Sequence, residues 1–166
     1  MTSGVKSAME RFYRDKAPKM DLPKAKKKKR AKGDLSEEQI QNRVVSALRK
    51  LGIFVFSIPM GGKRDAIAAS RLKRSGALAG TPDLMVLDPP YQGASGVFWE
   101  LKKKGGRVSK EQTEFMKRAS SLGHLCVVAT GLDANMKLVE ILYHGSKSEQ
   151  QILQSIEETE GLQCIG

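Results

Sequence analysis

The sequence predicts a single α/β domain built on one mixed β-sheet that is covered by helices. Between residues 36 and 143, segments with helical apolar spacing are interleaved with short runs rich in β-branched and aromatic residues. The predicted order is helix, strand, a variable segment, strand, strand, helix, strand and helix, and this interleaving favours a mixed sheet. The length of 166 residues fits one domain of ordinary size with tails.

The first predicted element is a helix from Ser36 to about Leu51. Ser36 is a good amino-terminal cap, and Gly52 is suited to end the helix. Glu37 lies in the first turn at the edge of the apolar face, where a carboxylate is also an ordinary partner of the helix dipole. The residues expected on the buried face are Ile40, Val44, Ala47, Leu48 and Leu51.

A β-rich run at 53–58 predicts a buried strand, and Pro59 ends it. The segment Gly61-Gly62-Lys63-Arg64 follows. Its glycine pair fits either a close approach of backbone amides to phosphate or a plain turn. From 65 to 74, small apolar residues alternate with bases at helical spacing, which predicts a short helix with one basic face.

Two further strands are predicted at 83–87 and 96–102, joined by the loop 88–95. Trp99, in the second of them, is expected to anchor the core. A helix capped by Ser109 should run to Leu122, followed by a core strand at 125–129 and a helix at 132–143. Residues after His144 are polar and offer at most one short amphipathic helix.

The net charge of +11 is unevenly distributed. Residues 1–34 hold 12 Lys or Arg against 4 acidic residues, whereas residues 35–166 hold 17 against 14. We expect residues 1–34 to form a disordered basic arm, because proline, glycine and the run from Lys26 to Arg30 leave few apolar residues to bury. The run fits a nuclear localisation signal or a nucleic-acid tether equally well.

Two groups of bases in the rest of the chain bracket an acidic motif in the sequence. A phosphate polymer is the natural partner of such groups, since basic side chains that displace counterions supply most non-specific affinity for nucleic acid. The alternative is that these are solvated surface charges. The groups are Lys63, Arg64, Arg71, Lys73 and Arg74, and then Lys102, Lys103, Lys104, Arg107 and Lys110.

Several classes of protein are disfavoured by what the sequence contains. No window approaches the roughly 18 apolar residues of a membrane span, and the amino terminus has no apolar signal stretch, so we expect a soluble intracellular protein without a membrane partner. Cys126 and Cys164 have neither disulfide nor zinc spacing and are expected to be free thiols. His124 and His144 lack neighbouring ligands. Without a phosphate-binding loop, no nucleotide cofactor is expected.

The acidic motif itself combines Asp83, Glu100 and Lys102. Asp83 follows Pro82 at a strand entrance, while alternation along an extended strand points Glu100 and Lys102 to the same face. If the two strands pair, Asp83 lies beside Glu100. Two carboxylates about 4 Å apart repel by about 4 kcal/mol at an effective dielectric of 20, and a divalent cation would balance them. Oxygen ligands favour Mg²⁺ or Mn²⁺. Either fragment alone is also frequent on exposed strands and in turns.

An ordered set of motifs runs over about residues 36–143: Glu37 with Gln41, Gly61-Gly62-Lys63-Arg64, Gly80-Thr81-Pro82-Asp83-Leu84, Glu100-Leu101-Lys102, and Ser109 with Gln112. Taken together, these motifs resemble the virus-type replication-repair nuclease family, VRR-NUC, of the PD-(D/E)XK nucleases. The resemblance implies a restriction-endonuclease-like core, a mixed β-sheet flanked by helices.

The resemblance also implies roles for individual residues. The metal would be held by Glu37, Asp83, Glu100 and the backbone carbonyl of Leu101. Lys102 would orient or help activate the attacking water, and Gln112 would lie near the site, which makes the catalytic set Asp83, Glu100, Lys102 and Gln112. The residues expected to contact DNA are Lys63, Arg64, Arg71, Lys73, Arg74, Lys103, Lys104 and Arg107.

The function expected on these grounds is that of a Mg²⁺- or Mn²⁺-dependent DNA endonuclease. It would act as a homodimer on branched DNA, such as four-way junctions, in replication, recombination or repair. The alternatives are a general nicking, restriction or packaging nuclease, and a DNA-binding module whose nuclease activity needs a partner. The expected location is the cytoplasm of a bacterial or phage-infected cell, or the nucleus if the basic run is a localisation signal. The expected organisation is a basic arm at 1–34, a nuclease domain at 35–144 and an extension at 145–166.

Overall fold

A computed structural model of the protein describes residues 35–58, 70–71 and 74–166. The elements whose bounds it describes form a five-stranded sheet with helices packed on it. None of the helices in these ranges has the length and apolarity needed to cross a membrane. In chain order the elements are α1 (Glu37–Lys50), β1 (Val55–Ser57), β2 (Leu84–Val86), β3 (Val97–Lys102), α2 (Lys110–Ser120), β4 (Leu125–Thr130), α3 (Gly131–Tyr143), α4 (Glu149–Glu157) and β5 (Leu162–Cys164).

The sheet is mixed, as the order of elements predicted. The strands follow the order β1-β2-β3-β4-β5, and only the β3–β4 pair is parallel. Helix α2 connects these two parallel strands, as a parallel pair requires a crossover. Trp99 of β3 lies opposite Leu84 of β2 and opposite Val127 of β4. The α/β fold class is therefore confirmed.

Each face of the sheet has its own apolar core. Helices α1, α3 and α4 cover one face, where Leu48, Leu138 and Ile156 are fully buried with Trp99 and other residues of the sheet. Helix α2 covers the other face, packing Met116 and Ala119 against Cys126 and Val128. Because side chains alternate along a strand, β3 sends Trp99 and Leu101 into the larger core and Phe98 and Glu100 toward α2.

Trp99 anchors the larger core, as predicted, and its ring nitrogen has a hydrogen-bond partner there. The ring is fully buried, and Nε1 donates a hydrogen bond to Oδ1 of Asn135, 2.9 Å away. The side-chain amide of Asn135 in turn donates to the carbonyl oxygens of Ala129 (3.0 Å) and Gly131 (2.7 Å). This buried amide holds the turn from β4 into α3, beside the carboxyl end of β3.

Two local predictions about the amino-terminal half were wrong. The run at 53–58 was expected to be a buried strand, but β1 is three residues long, lies at the edge of the sheet, and leaves Phe56 41% exposed. Leu51 was expected on the buried face of α1, but it is the carboxy-terminal cap residue and is 44% exposed. Ser70, Arg71 and Arg74 are helical, and the rest of the predicted helix at 65–74 lies outside the described residues.

The carboxy-terminal residues contribute more to the fold than one short helix. Ile152 and Ile156 of α4 are fully buried in the larger core, and β5 pairs antiparallel with β4. Sequence reasoning missed β5 because a three-residue strand is too short to show an alternating pattern. Cys164 lies opposite Val127, so alternation sends Cys126 and Cys164 to opposite faces, and both cysteines are free, as predicted.

Candidate active site

Asp83 is fixed from two sides, by its backbone to the residue that follows β1 and by its side chain to β3. Its carbonyl oxygen accepts from the backbone amide of Ile58 (2.8 Å), and its Oδ2 accepts from the backbone amide of Leu101 (2.9 Å). The β2–β3 ladder ends at Leu84 and Trp99, so the carboxylate replaces a main-chain acceptor for Leu101. Strand pairing therefore places Asp83 beside Glu100, as the sequence predicted.

Glu100 is a buried carboxylate whose two oxygens have different surroundings. The residue is 1% exposed. Oε1 accepts from Nζ of Lys102 (2.5 Å) and from Nε2 of Gln112 (2.6 Å). Oε2 is also buried, yet it has no hydrogen-bond partner in the described part of the chain. A buried carboxylate oxygen without a donor is costly, so its presence calls for an explanation.

Gln112 joins Glu100 to the start of helix α2. Its Oε1 accepts from the backbone amide of Ser109 (2.9 Å), and its own backbone amide donates to Oγ of Ser109 (3.2 Å), which completes a capping box. Both ends of the Gln112 side-chain amide are therefore engaged, one by the helix cap and the other by the carboxylate. The sequence analysis predicted the cap at Ser109 but not the return contact from Gln112.

Glu37 lies in the first turn of α1 and contacts the chain just after β3. Its exposed carboxylate accepts a hydrogen bond from the backbone amide of Lys103 at 3.2 Å. This contact ties the start of α1 to the residue that follows β3. Among the described residues, no group of three or more His, Cys, Asp or Glu side chains is arranged closely enough to hold a metal ion. Strand pairing brings Asp83 and Glu100 together, and Glu37 acts on Asp83 through its charge from the start of α1.

Burial raises the pKa of both carboxyl groups, and a neighbouring negative charge raises each of them further. The pKa of Glu100 rises to about 7, mainly because the group is buried and secondly because Asp83 is nearby, while Lys102 and Gln112 act in the opposite direction. The pKa of Asp83 is also raised, first by burial and further by the charge of Glu37, while the Leu101 amide, Lys102 and the Glu100 side chain lower it. The pair resists full ionisation, which is the condition that a bound cation relieves.

The residues present fit a hard divalent cation. The Asp83 and Glu100 carboxylates are oxygen ligands, and the buried Oε2 of Glu100 is not engaged by any donor of the described residues. Mg²⁺ is commonly held by one or two carboxylates and completed by water and substrate phosphate, so a pair of acidic side chains suffices. The Leu101 carbonyl belongs to the β3 segment that contacts Asp83, and its predicted role as a ligand stays a prediction.

The predicted DNA-contact residues fall into three groups. Lys103, Lys104 and Arg107 are exposed on the connection between β3 and α2, next to the site. Arg71 and Arg74 are exposed in the helical stretch before β2. The remaining three lie outside the described residues: Lys63, Arg64 and Lys73.

Charge is segregated along the folded part of the chain. From residue 102 to residue 118 there are seven Lys or Arg against two Glu, whereas from 133 to 160 there are six Asp or Glu against two Lys. The first segment contains the connection that follows Lys102, so the surface beside the acidic pair is basic. An approaching polyanion would be attracted to that side.

Sequence reasoning missed two residues near the carboxyl end of β3. Asn135 holds the β4–α3 turn, and its signal was a single amide on an otherwise apolar helix face. Thr130 ends β4 directly opposite Lys102 in the parallel register, so its side chain shares the face of Glu100 and Lys102. No local pattern could have found Thr130, because its proximity to Lys102 depends on the register between two strands.

Comparison with known proteins finds similarity at the level of structure. No protein-family model matches the sequence, and no curated protein matches it either. A solved structure described as a VRR_NUC domain protein is similar, with a TM-score of 0.57 and 22% identity over 72% of this chain and 96% of that chain. At this identity the similarity establishes the fold. The chain therefore has the fold of a VRR_NUC domain protein, the fold that its motifs predicted.

Proposed function

We propose that this protein is a VRR-NUC nuclease that hydrolyses DNA phosphodiester bonds with Mg²⁺ or Mn²⁺ at the Asp83–Glu100 pair. The observation that carries the proposal is the buried Oε2 of Glu100, which lacks a donor although Lys102 and Gln112 both engage Oε1 of the same carboxylate. Buried carboxylate oxygens ordinarily have a hydrogen-bond partner, so a buried oxygen without one calls for an explanation. A carboxylate with one oxygen kept available inside a buried site is suited to a cation.

The proposed metal ligands are the carboxylates of Asp83 and Glu100, with Glu37 and the backbone carbonyl of Leu101 as further contributors. When bound, Mg²⁺ or Mn²⁺ would supply Lewis-acid activation of the attacking water and offset negative charge on the phosphate. Burial and the charge of Asp83 raise the pKa of Glu100 to about 7, and a bound cation would favour its ionised form. Cation binding and proton release from this pair should therefore be linked.

Lys102 is the proposed residue that meets the reacting phosphate. Its side chain is 12% exposed, and Glu100 holds its ammonium group at the carboxyl end of β3. There it would orient the attacking water and stabilise charge that grows on the phosphate in the transition state. Gln112, which the sequence analysis placed among the catalytic residues, contacts Glu100 and the helix cap. We assign it a positioning role.

The proposed DNA-binding surface is the connection between β3 and α2. Its exposed bases Lys103, Lys104 and Arg107 directly follow Lys102, so a backbone that they bind would lie near the acidic pair. The acidic carboxy-terminal segment, 133–160, disfavours DNA approach from its own side. Preference for four-way junctions and action as a homodimer are the finer parts of the proposal, and they rest on the motif resemblance.

Cleavage assays test the proposal directly. The full chain would be incubated with linear duplex, flap and four-way-junction DNA of matched sequence, in Mg²⁺, Mn²⁺ or chelator, beside Asp83→Asn as the inactive control. We expect metal-dependent cutting that is fastest on the junction. Cleavage that persists in chelator would contradict the metal mechanism. Binding without cutting would favour a DNA-binding module that needs a partner, and equal cutting of all substrates would favour a general nicking nuclease.

A further inference from the structure

Gly80 makes a backbone contact with helix α2 that no other residue could make. Its φ is +78°, and a Cβ built on it would lie 2.2 Å from the carbonyl carbon and oxygen of Glu111 and 2.6 Å from the backbone nitrogen of Gln112. Real Cβ atoms essentially never approach another atom closer than 3.0 Å. All three atoms belong to the main chain, so no side-chain rotation can relieve the overlap.

This contact joins two parts of the site that are distant in sequence. Gly80 begins the short loop that delivers Asp83, and the loop is restrained by buried Pro82 and by a hydrogen bond from Thr81 Oγ1 to the carbonyl oxygen of Leu78 (2.7 Å). On the other side of the contact is the backbone of Gln112, whose side chain holds Glu100. The close packing of the loop on α2 therefore helps to set the position of the Asp83 carboxylate relative to that of Glu100.

We propose that Gly80 is a positioning residue of the nuclease site: its bare backbone lets the Asp83 loop pack on the first turn of α2, which sets where Gln112 holds Glu100. The inference rests on the proposed function for its catalytic consequence, but the contact can be tested without it. A methyl group at Gly80 would push the loop and the helix apart by about 1 Å, and misplacement on that scale can reduce turnover about 100-fold.

The chain contains a matched control for the backbone strain that alanine would also introduce. Gly52 ends α1 with a φ of +77°, and a Cβ there would have nothing within 4 Å. Gly52→Ala therefore imposes the same unfavourable φ as Gly80→Ala without the collision. Any effect of Gly80→Ala beyond that of Gly52→Ala reports on the contact with α2.

The first measurement is of structure and needs neither metal nor activity. In ¹H–¹⁵N spectra of the full chain, the side-chain amide of Gln112 should shift in Gly80→Ala and stay unchanged in Gly52→Ala, with both variants folded by circular dichroism. An unshifted Gln112 amide in folded Gly80→Ala would overturn the proposal. So would an equal shift in Gly52→Ala, since strain alone would then account for it.

The second measurement is of function. Mn²⁺ affinity by calorimetry should fall at least tenfold in Gly80→Ala and kcat about 100-fold, while junction binding in chelator stays within twofold of wild type. Gly52→Ala should match wild type in all three. Wild-type Mn²⁺ affinity and kcat in folded Gly80→Ala would overturn the proposal. Failure of the wild-type chain itself to bind Mn²⁺ or cut DNA would instead refute the proposed function.

A milder variant covers the case in which Gly80→Ala does not fold. Thr81→Val removes the hydrogen bond to Leu78 that restrains the same loop, and it introduces no collision with α2. We expect a shifted Gln112 amide and a loss of about threefold in Mn²⁺ affinity. If Thr81→Val leaves both unchanged, the loop does not control the position of Gln112 and the proposal fails.

Discussion

The side-chain amide of Gln112 connects the cap of helix α2 to the buried carboxylate of Glu100. Its oxygen accepts from the backbone amide of Ser109, and its nitrogen donates to Oε1 of Glu100 at 2.6 Å. A capping residue is ordinarily free to vary between glutamine and glutamate, because either can accept from the cap amide. Here the second contact needs a donor, so the two side chains are not equivalent.

Gln112→Glu should therefore separate capping from catalysis. The carboxylate can still complete the capping box, but it replaces a hydrogen-bond donor with a negative charge beside Glu100 and Asp83. We expect kcat to fall at least tenfold, and the added charge beside Glu100 and Asp83 should also lower the thermal midpoint at neutral pH. Gln151→Glu is the matched control, because it makes the same change in the capping box of α4, and it should leave cleavage at the wild-type rate. Equal activities of the two variants would contradict the role of Gln112.

Asp83→Ala and Lys102→Ala should each abolish most cleavage while junction affinity stays within about twofold. Removing a group that stabilises transition-state charge commonly costs 10²- to 10³-fold in kcat, whereas most binding energy comes from bases elsewhere. Single-turnover cleavage and equilibrium binding would be measured for both variants. Lys137→Ala is the control, because its exposed side chain pairs with exposed Glu140, on a helix outside the proposed site. Normal turnover in either site variant would refute the assignment of that residue.

Glu100→Gln should make the protein more stable above pH 7 in chelator. The pKa of Glu100 is about 7 in the folded protein, above its ordinary 4.5, so the folded state binds a proton that the unfolded state releases between these values. Ionised Glu100 therefore destabilises the fold above pH 7, and the destabilisation disappears as pH falls toward 4.5. A shift of this size corresponds to up to about 3 kcal/mol, which glutamine would recover because it cannot ionise.

Urea unfolding of wild type and Glu100→Gln at pH 5 and pH 8, both in chelator, measures this effect. The difference between the two proteins should be small at pH 5 and large at pH 8. Other titrating groups contribute equally to the free energy of unfolding of both proteins, so their contributions cancel in the difference between the two. The exception is Asp83, whose titration is coupled to that of Glu100. A difference that is the same at both pH values would show that Glu100 is not a buried acid with a raised pKa.

Replacing Lys103, Lys104 and Arg107 together with alanine should weaken DNA binding and reduce its dependence on salt. Each phosphate contact contributes about 0.9 to the slope of log K against log salt, so the slope should decrease by about 2 to 3. Fluorescence anisotropy between 50 and 300 mM NaCl, roughly the range in which such contacts are screened, provides the measurement. Lys137→Ala should leave the slope unchanged. An unaltered slope in the triple variant would place the DNA elsewhere on the protein.

Much of the fold could be predicted because its signals are local. The capping boxes at Ser36 and Ser109 begin α1 and α2 at the predicted residues. Alternation along β3 correctly placed Glu100 and Lys102 on one face and Trp99 on the other. The edge position of β1 and the existence of β5 were not predictable in this way, because both depend on which strands pair.

The sequence alone determined which side chains are available to the site and on which face of its own strand or helix each one lies. Only the tertiary structure decided how they meet: Asp83 satisfies the Leu101 amide 18 residues away, and Gln112 reaches Glu100 across 12. The burial that raises the pKa of Glu100 likewise comes from packing between separate elements. Capping and alternation act over a few residues, whereas burial, pairing and charge coupling exist only after distant segments have been packed together.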